Sequence, residues 1–237
     1  MAVISFANTK GGAGKTTAAL LLAMDCARQG KRVAILDGDP QKWITSWSEV
    51  SGAVANVTVI SHVTPSSLQT HIREMKDAVD VFIIDLAGQR DTLLATALGL
   101  SDHVLIPVQG CAMDARGAAQ VLEILQQMKA RDGITIAHSV VLTRVNSIVT
   151  TRAMQVIKSL LASRGVNVLD TAIVERTAYR DLFELGGTLQ MMDEKGSGNI
   201  AKARENAAAF AAEVMRLVPV RAASSFTRRT WLPSRAA

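Results

Sequence analysis

The stretch that most constrains this chain is residues 8–17, Asn-Thr-Lys-Gly-Gly-Ala-Gly-Lys-Thr-Thr. An apolar run at 2–7 precedes it and predicts a buried strand. An Ala- and Leu-rich run at 18–28 follows and predicts a helix closed by Gly30. A strand that turns through glycines into a helix leaves backbone N–H groups facing inward, and the helix N-terminus adds partial positive charge. The spacing predicts a phosphate cradle built from Gly11, Gly12, Ala13 and Gly14. Lys15 would reach the β- and γ-phosphates, the Thr16 hydroxyl would ligate Mg²⁺, and Thr17 would sit beside it. A bare turn between a strand and a helix requires neither the lysines nor the paired threonines.

Further apolar runs predict strands over 32–37, 55–60, 79–85, 103–108, 135–143 and 166–173. Helical patterns fall at 66–78 (capped by Ser66 or Ser67), 92–100, 115–131, 151–163 and 201–217. Continuous apolar strands alternating with helices predict a doubly wound, mostly parallel α/β sheet with helices on both faces. With 237 residues, 49% of them hydrophobic, one domain over 1–218 suffices, followed by a basic, flexible tail over 219–237.

Ligands of such sheets bind beyond the carboxyl ends of the strands. That rule gathers the 8–17 turn, Asp37, Asp39, Asp85 and the loop after Val108 on one rim. Asp85 ends an apolar strand in the manner of a Walker B acid and could hold a Mg²⁺-bound water. Gly88 would let the backbone approach the γ-phosphate. Asp37 and Asp39 flank Gly38; one could support the metal's water shell while the other positions the attacking water.

A strict Walker A box has glycine where this chain has Thr9, and here a second lysine, Lys10, precedes the glycine pair. Lys-Gly-Gly-x-Gly-Lys-Thr-Thr at 10–17 resembles the deviant Walker A box of the ParA/MinD family of P-loop ATPases, most nearly the small plasmid-partition ParA proteins without an N-terminal helix-turn-helix domain. Asp37-Gly-Asp39-Pro40-Gln41 matches that family's Asp-x-Asp-Pro-Gln box. The resemblance spans nearly the whole chain up to Leu217, with Ser101 to Val108, Leu142 to Arg144 and Thr171 to Arg176 similar to later family segments. It implies ATP and Mg²⁺ as cofactors, with Thr16, Asp37 and Asp85 on the metal side. It implies Lys10, Lys15 and Asp39 as the catalytic set, Asp39 orienting water and Lys10 reaching across a face-to-face homodimer that forms on ATP. It also implies nonspecific DNA binding, nucleoid association and a ParB-like or other cargo-bound protein that stimulates hydrolysis. The loop from Gln109 to Asp114 departs from the proline-rich loop common in those relatives. Thr143 and Arg144 are the candidates for base contact.

The formal net charge is +5, and residues 219–237 hold Arg221, Arg228, Arg229 and Arg235 with no acid, so the body is close to neutral. Candidate DNA contacts are Lys158, Arg164, Arg176, Arg180, Lys202, Arg204 and Arg216. A membrane-cycling role of the MinD type would need an amphipathic C-terminal helix. Phe226, Trp231 and Leu232 are spaced poorly for one, and Pro219 and Pro233 bracket them. A metabolic P-loop enzyme would need a substrate-binding insertion that is not evident. Cys26 and Cys111 read as thiols of a reducing compartment, and four scattered histidines show no metal-ligand spacing. With no signal segment and no apolar run near ~18 residues, the expected location is the cytoplasm.

Overall fold

The computed structural model describes residues 1–109, 112–146, 152–163, 165–193 and 199–218. In chain order the strands are β1 (Ala2–Phe6), β2 (Val33–Gly38), β3 (Val57–Ile60), β4 (Val81–Leu86), β5 (His103–Gln109), β6 (Ala137–Val145), β7 (Asn167–Val168) and β8 (Ile173–Val174). They form a sheet of order β3-β2-β4-β1-β5-β6-β7, with β8 also paired to β6, and all the pairings described are parallel. The helices are α1 (Lys15–Arg28), α2 (Trp43–Ser51), α3 (Pro65–Met75), α4 (Thr92–Leu100), α5 (Ala112–Asp132), α6 (Arg152–Ser163), α7 (Thr177–Leu185) and α8 (Ile200–Leu217).

Alternate strand residues feed two apolar layers, as the two-residue period of a strand requires. Ile4, Phe6, Ile35 and Ile83 pack with α1, α2, α7 and α8 on one face. Val3, Leu36, Phe82 and Ile84 pack with α3, α4, α5 and α6 on the other. The central strands are buried throughout, which is why they read as unbroken apolar runs. The doubly wound parallel architecture is as expected.

Three local expectations need correction. The helix over 66–78 starts at Pro65 and ends at Met75, and Thr64 caps it: its hydroxyl accepts from Ser67 N at 3.1 Å while Ser67 Oγ accepts from Thr64 N at 3.0 Å. The strand over 166–173 is two fragments of two residues each, because Glu213 takes the N–H groups of Asp170 and Thr171 at 2.8 Å each. Two helices, α2 and α7, stand where none was read from the sequence. Each is nine residues long, and neither has a side-chain cap at its N-terminus. Tertiary packing rather than a local signal forms them. Cys26 is buried, and burial, with Asp25 adding to it, pushes its thiol up to about 12. Cys111 lies outside the described residues.

Candidate nucleotide site

Strand register builds the site. Asp85 pairs with Phe6 on one side and with Asp37 on the other, so the tips of β1, β2 and β4 end level. The glycine-rich turn leaves β1 at that level and enters α1, with Gly12 at φ 79° and Gly14 at φ 87°. Both values lie in the left-handed region that glycine adopts without steric cost.

Long-range contacts pin the turn from three directions. Asn8 is buried; its Nδ2 donates to Pro107 O at 2.7 Å and its Oδ1 accepts from Lys10 N at 2.9 Å. Thr9, which stands where a strict Walker box has glycine, donates its hydroxyl to Gln120 Oε1 and lies 3.3 Å from Gly117 O of α5. Gln109 Nε2 donates to Gly12 O, and Thr143 Oγ1 donates to Ala13 O at 2.8 Å. Gly88 approaches the turn rather than standing off it: a Cβ there would lie 2.5 Å from Gly11 N. Gly88 therefore comes close to the cradle's own backbone.

Lys15 is buried, with Nζ donating to Lys10 O at 3.2 Å. Burial pushes its pKa down, opposed by the charges of Asp85 and Asp39. Asp85 is fully buried, and neither carboxylate oxygen has a hydrogen-bond partner. Burial pushes its pKa up to about 7. The nearby Thr16 hydroxyl draws it down, although no bond of proper geometry forms, and Asp37 adds to the rise. A buried carboxylate without donors costs several kcal/mol, roughly, unless a cation meets it. Asp85 beside Thr16 therefore fits Mg²⁺. Among the described residues no three His, Cys, Asp or Glu side chains form a ready-made cage. Mg²⁺ does not require one, because it keeps several waters and binds through one or two carboxylates plus phosphate oxygens.

Asp37 and Asp39 divide differently. Asp37 is buried, and its Oδ2 accepts from Thr45 N at 2.9 Å and Thr45 Oγ1 at 2.6 Å, tying β2 to the first turn of α2. Its Oδ1 accepts from Asp39 N at 3.3 Å. Lys42 Nζ grips Asp37 O at 2.6 Å and Ser61 O at 2.7 Å, so β2 and β3 are held together at their tips. Asp39 is half-buried on the cleft wall, where its Oδ1 accepts from Gln41 N at 2.9 Å.

The cleft over these groups has a volume of 490 Å³, within the range of small-molecule sites. Gly11, Gly12 and Gly14 to Thr17 line one end, with Asp39 beside them. Thr143 stands against the cradle, and beyond it Arg144 and the Ile173–Arg176 segment line the rest. Lys10 begins the turn and Ala13 is buried beneath it. Tyr179 and Phe183 of α7 and Trp43 of α2 also reach the cleft. Sequence reasoning missed these three because it missed their helices; the one available signal was Tyr179, the single tyrosine of the chain.

The candidate DNA residues separate. Arg176 and Arg180 line the cleft, and Arg204 donates to Leu189 O at 2.9 Å and Met192 O at 3.0 Å. Lys158, Lys202 and Arg216 are exposed. Arg164, the Gly110–Cys111 part of the loop after β5 and the 219–237 tail lie outside the described residues.

A sequence profile of the CobQ/CobB/MinD/ParA nucleotide-binding domain matches residues 4–189. Protein ParA of Rhizobium radiobacter is 38% identical over 216 residues, covering 91% of this chain and 97% of the relative. Maintenance of carboxysome distribution protein A of Halothiobacillus neapolitanus is 26% identical, covering 81% of this chain and 88% of the relative. Among solved structures, a plasmid partition protein of Borrelia burgdorferi bound to AMPPNP superposes with TM-score 0.67 at 19% identity. That match covers 88% of this chain and 97% of that one.

Proposed function

The chain belongs to the CobQ/CobB/MinD/ParA family as a P-loop ATPase, and from that premise we propose that it is a ParA-type partition ATPase that moves a plasmid over nucleoid DNA. The observation that carries the chemistry is Asp85, a fully buried carboxylate with no donor, level with the phosphate cradle. The near full-length likeness to a ParA protein supports the cargo class.

Thr16 and Asp85 would hold Mg²⁺, with Asp37 on the metal side behind them and anchoring α2. When bound, the ion would supply charge neutralisation for the phosphates. Lys15, its charge supported by Asp85 and Asp39 against burial, meets the same phosphates from the cradle side. Asp39 faces the cleft and orients the attacking water. Phosphoryl transfer needs little from the protein beyond positioning and charge, and these residues supply both. Lys10, fixed at its backbone by Asn8, reaches the phosphates of a second subunit, so ATP joins two copies and hydrolysis releases them. A cargo-bound partner of the ParB kind accelerates that step.

The test is sedimentation of the purified chain with ATP, ADP or no nucleotide, against random-sequence DNA and, separately, anionic liposomes. ATP-dependent DNA binding that weakens with salt is the expected result. Liposome binding without DNA binding would overturn it in favour of a membrane-cycling role; among the described residues no helix is long and apolar enough to cross a membrane. The likeness to a carboxysome distribution protein favours a second cargo, a protein cluster, with the same ATPase cycle. Loss of plasmid inheritance in a deletion strain separates the two.

A further inference from the structure

The base end of the cleft is formed by a segment that the sheet barely holds. β8 is two residues long, and its pairing to β6 slips between Thr143 and Val145. Arg144, the residue in the slip, sits at φ 51° and points into solvent at the cleft. A two-residue strand on a slipped register is a weak wall against which to select a ligand.

Helix α8 supplies what the sheet lacks. Its buried stripe, Ala203, Ala207, Phe210 and Val214, packs on the core. Asn206 and Glu213 border that stripe seven residues apart, hence on one line of the helix. Asn206 Nδ2 donates to Ala172 O at 2.8 Å, and its Oδ1 accepts from Val174 N at 3.0 Å. One carboxamide therefore takes the place of the next strand along the open edge of β8. The same Oδ1 accepts from the Tyr179 hydroxyl at 3.2 Å, and that hydroxyl lies 2.9 Å from Ala203 O. Glu213 receives Asp170 N and Thr171 N, one on each oxygen. Two side chains of the last helix thus satisfy four backbone groups of 170–174, the stretch that leads into the wall at Ile173–Arg176.

We propose that Asn206 and Glu213 are positioning residues for nucleotide selection: α8 clamps the base-side wall, and the clamp sets the preference for adenine nucleotides. The inference rests on the nucleotide reading of the cleft, with the base lying at the Arg144–Arg176 end. The clamp bonds residues 170–174 and reaches the phosphate cradle only through β6, where Thr143 pairs with Ile173 and donates to Ala13 O. The other cradle contacts run to β5 and α5, so loosening the clamp should weaken the base contact more than the phosphate contact.

The experiment compares ATP, GTP and inorganic tripolyphosphate binding by titration calorimetry, in wild type, Asn206→Ala and Glu213→Gln. Wild type should prefer ATP over GTP and over tripolyphosphate; equal affinity for all three would mean that the base does not use this wall, which sinks the underlying reading rather than the clamp. Given that preference, Asn206→Ala, which removes all three bonds of the carboxamide and so frees the wall, should weaken ATP about tenfold. Its tripolyphosphate affinity should stay within about twofold, and its ATP-over-GTP ratio should shrink. Glu213→Gln keeps the size of the side chain and one good acceptor, and should shift the same ratio by a smaller factor. A parallel loss of all three ligands would mark mere destabilisation and overturn the proposal. So would unchanged ATP preference in both variants. Should Asn206→Ala not fold, the Glu213→Gln ratio alone decides.

Discussion

Each acid at the cradle has a different set of partners, and the partners decide what its removal does. Among the described residues Asp39 bonds only within its own turn, and it faces the cleft, so Asp39→Ala removes the proposed water-orienting group while leaving the hydrogen bonds of the cradle in place. ATP affinity should stay within about twofold while kcat falls at least about 100-fold, read by calorimetry and phosphate release. Normal turnover in that variant would remove Asp39 from the mechanism. Asp85→Asn has the opposite profile. It deletes a buried charge without donors, so the nucleotide-free protein should melt at a higher temperature, while Mg²⁺ no longer strengthens ATP binding. Calorimetry with and without Mg²⁺ reads both. At the far end of the sheet, His103 is buried, with Nε2 3.0 Å from Ser139 Oγ and Nδ1 unpartnered. Burial, with a contribution from the charge of His138, pushes its pKa down from 6.5 to about 4. A depressed folded pKa means the unfolded chain takes up the proton first. Stability is therefore full above pH 6.5 and is lost as pH falls toward 4, by roughly 3 kcal/mol from this group. His103→Asn should flatten the melting temperature across that interval, and an unchanged slope would assign the acid loss elsewhere.

Two helical glycines show how element packing overrides residue propensity. Gly117, inside α5, costs its helix about 1 kcal/mol relative to alanine, and Gly99, next to last in α4, costs no more than that. A Cβ on Gly99 meets only Met128 Cε at 3.5 Å, so Gly99→Ala should be neutral or stabilise by up to about 1 kcal/mol. A Cβ on Gly117 would stand 2.1 Å from Asn8 Oδ1 and 3.0 Å from Lys10 Cβ. Asn8 cannot swing away, because it already bridges Pro107 O and Lys10 N. Gly117→Ala should therefore destabilise by about 1–3 kcal/mol and displace the start of the phosphate turn. Paired denaturant melts would show opposite signs for the two variants; equal shifts would mean that α5 gives way instead. This contact also marks the limit of what the sequence shows. The cradle and the strand tips at Asp37 and Asp85 are legible because buried parallel strands are continuous apolar runs and because the turn needs glycines at fixed offsets. Gly117 against Asn8, Asn206 along β8 and Thr45 on Asp37 are pairings set by tertiary packing, and no local pattern announces them. The short helices α2 and α7 escaped for the same reason: without side-chain caps, tertiary packing makes them helices, α2 on α1, β3 and α7, and α7 on α2 and α8.

On the scale of the whole molecule, the charge distribution bears on how DNA would be held. With the four tail arginines set aside, the chain has a net charge near +1, so no broad positive field draws it to a polyanion. Intramolecular bonding takes Arg204 out of the candidate set, and the cleft takes Arg176 and Arg180, while Lys158, Lys202 and Arg216 stay exposed. On the proposed reading, a surface this sparse would hold DNA usefully only when two copies act together, and the affinity should then depend on the ATP-joined state. Each phosphate neutralised contributes about −0.9 to the slope of log K against log salt. Lys202→Ala and Arg216→Ala, each present twice in a pair of subunits, should each reduce that slope by about 2 and weaken binding, Lys202→Ala without altering ATP affinity. A chain ending at Val218 gives the tail's share by the same measurement. Should truncation abolish binding while the two helix variants leave the slope untouched, the tail arginines hold the DNA and α8 serves the nucleotide alone.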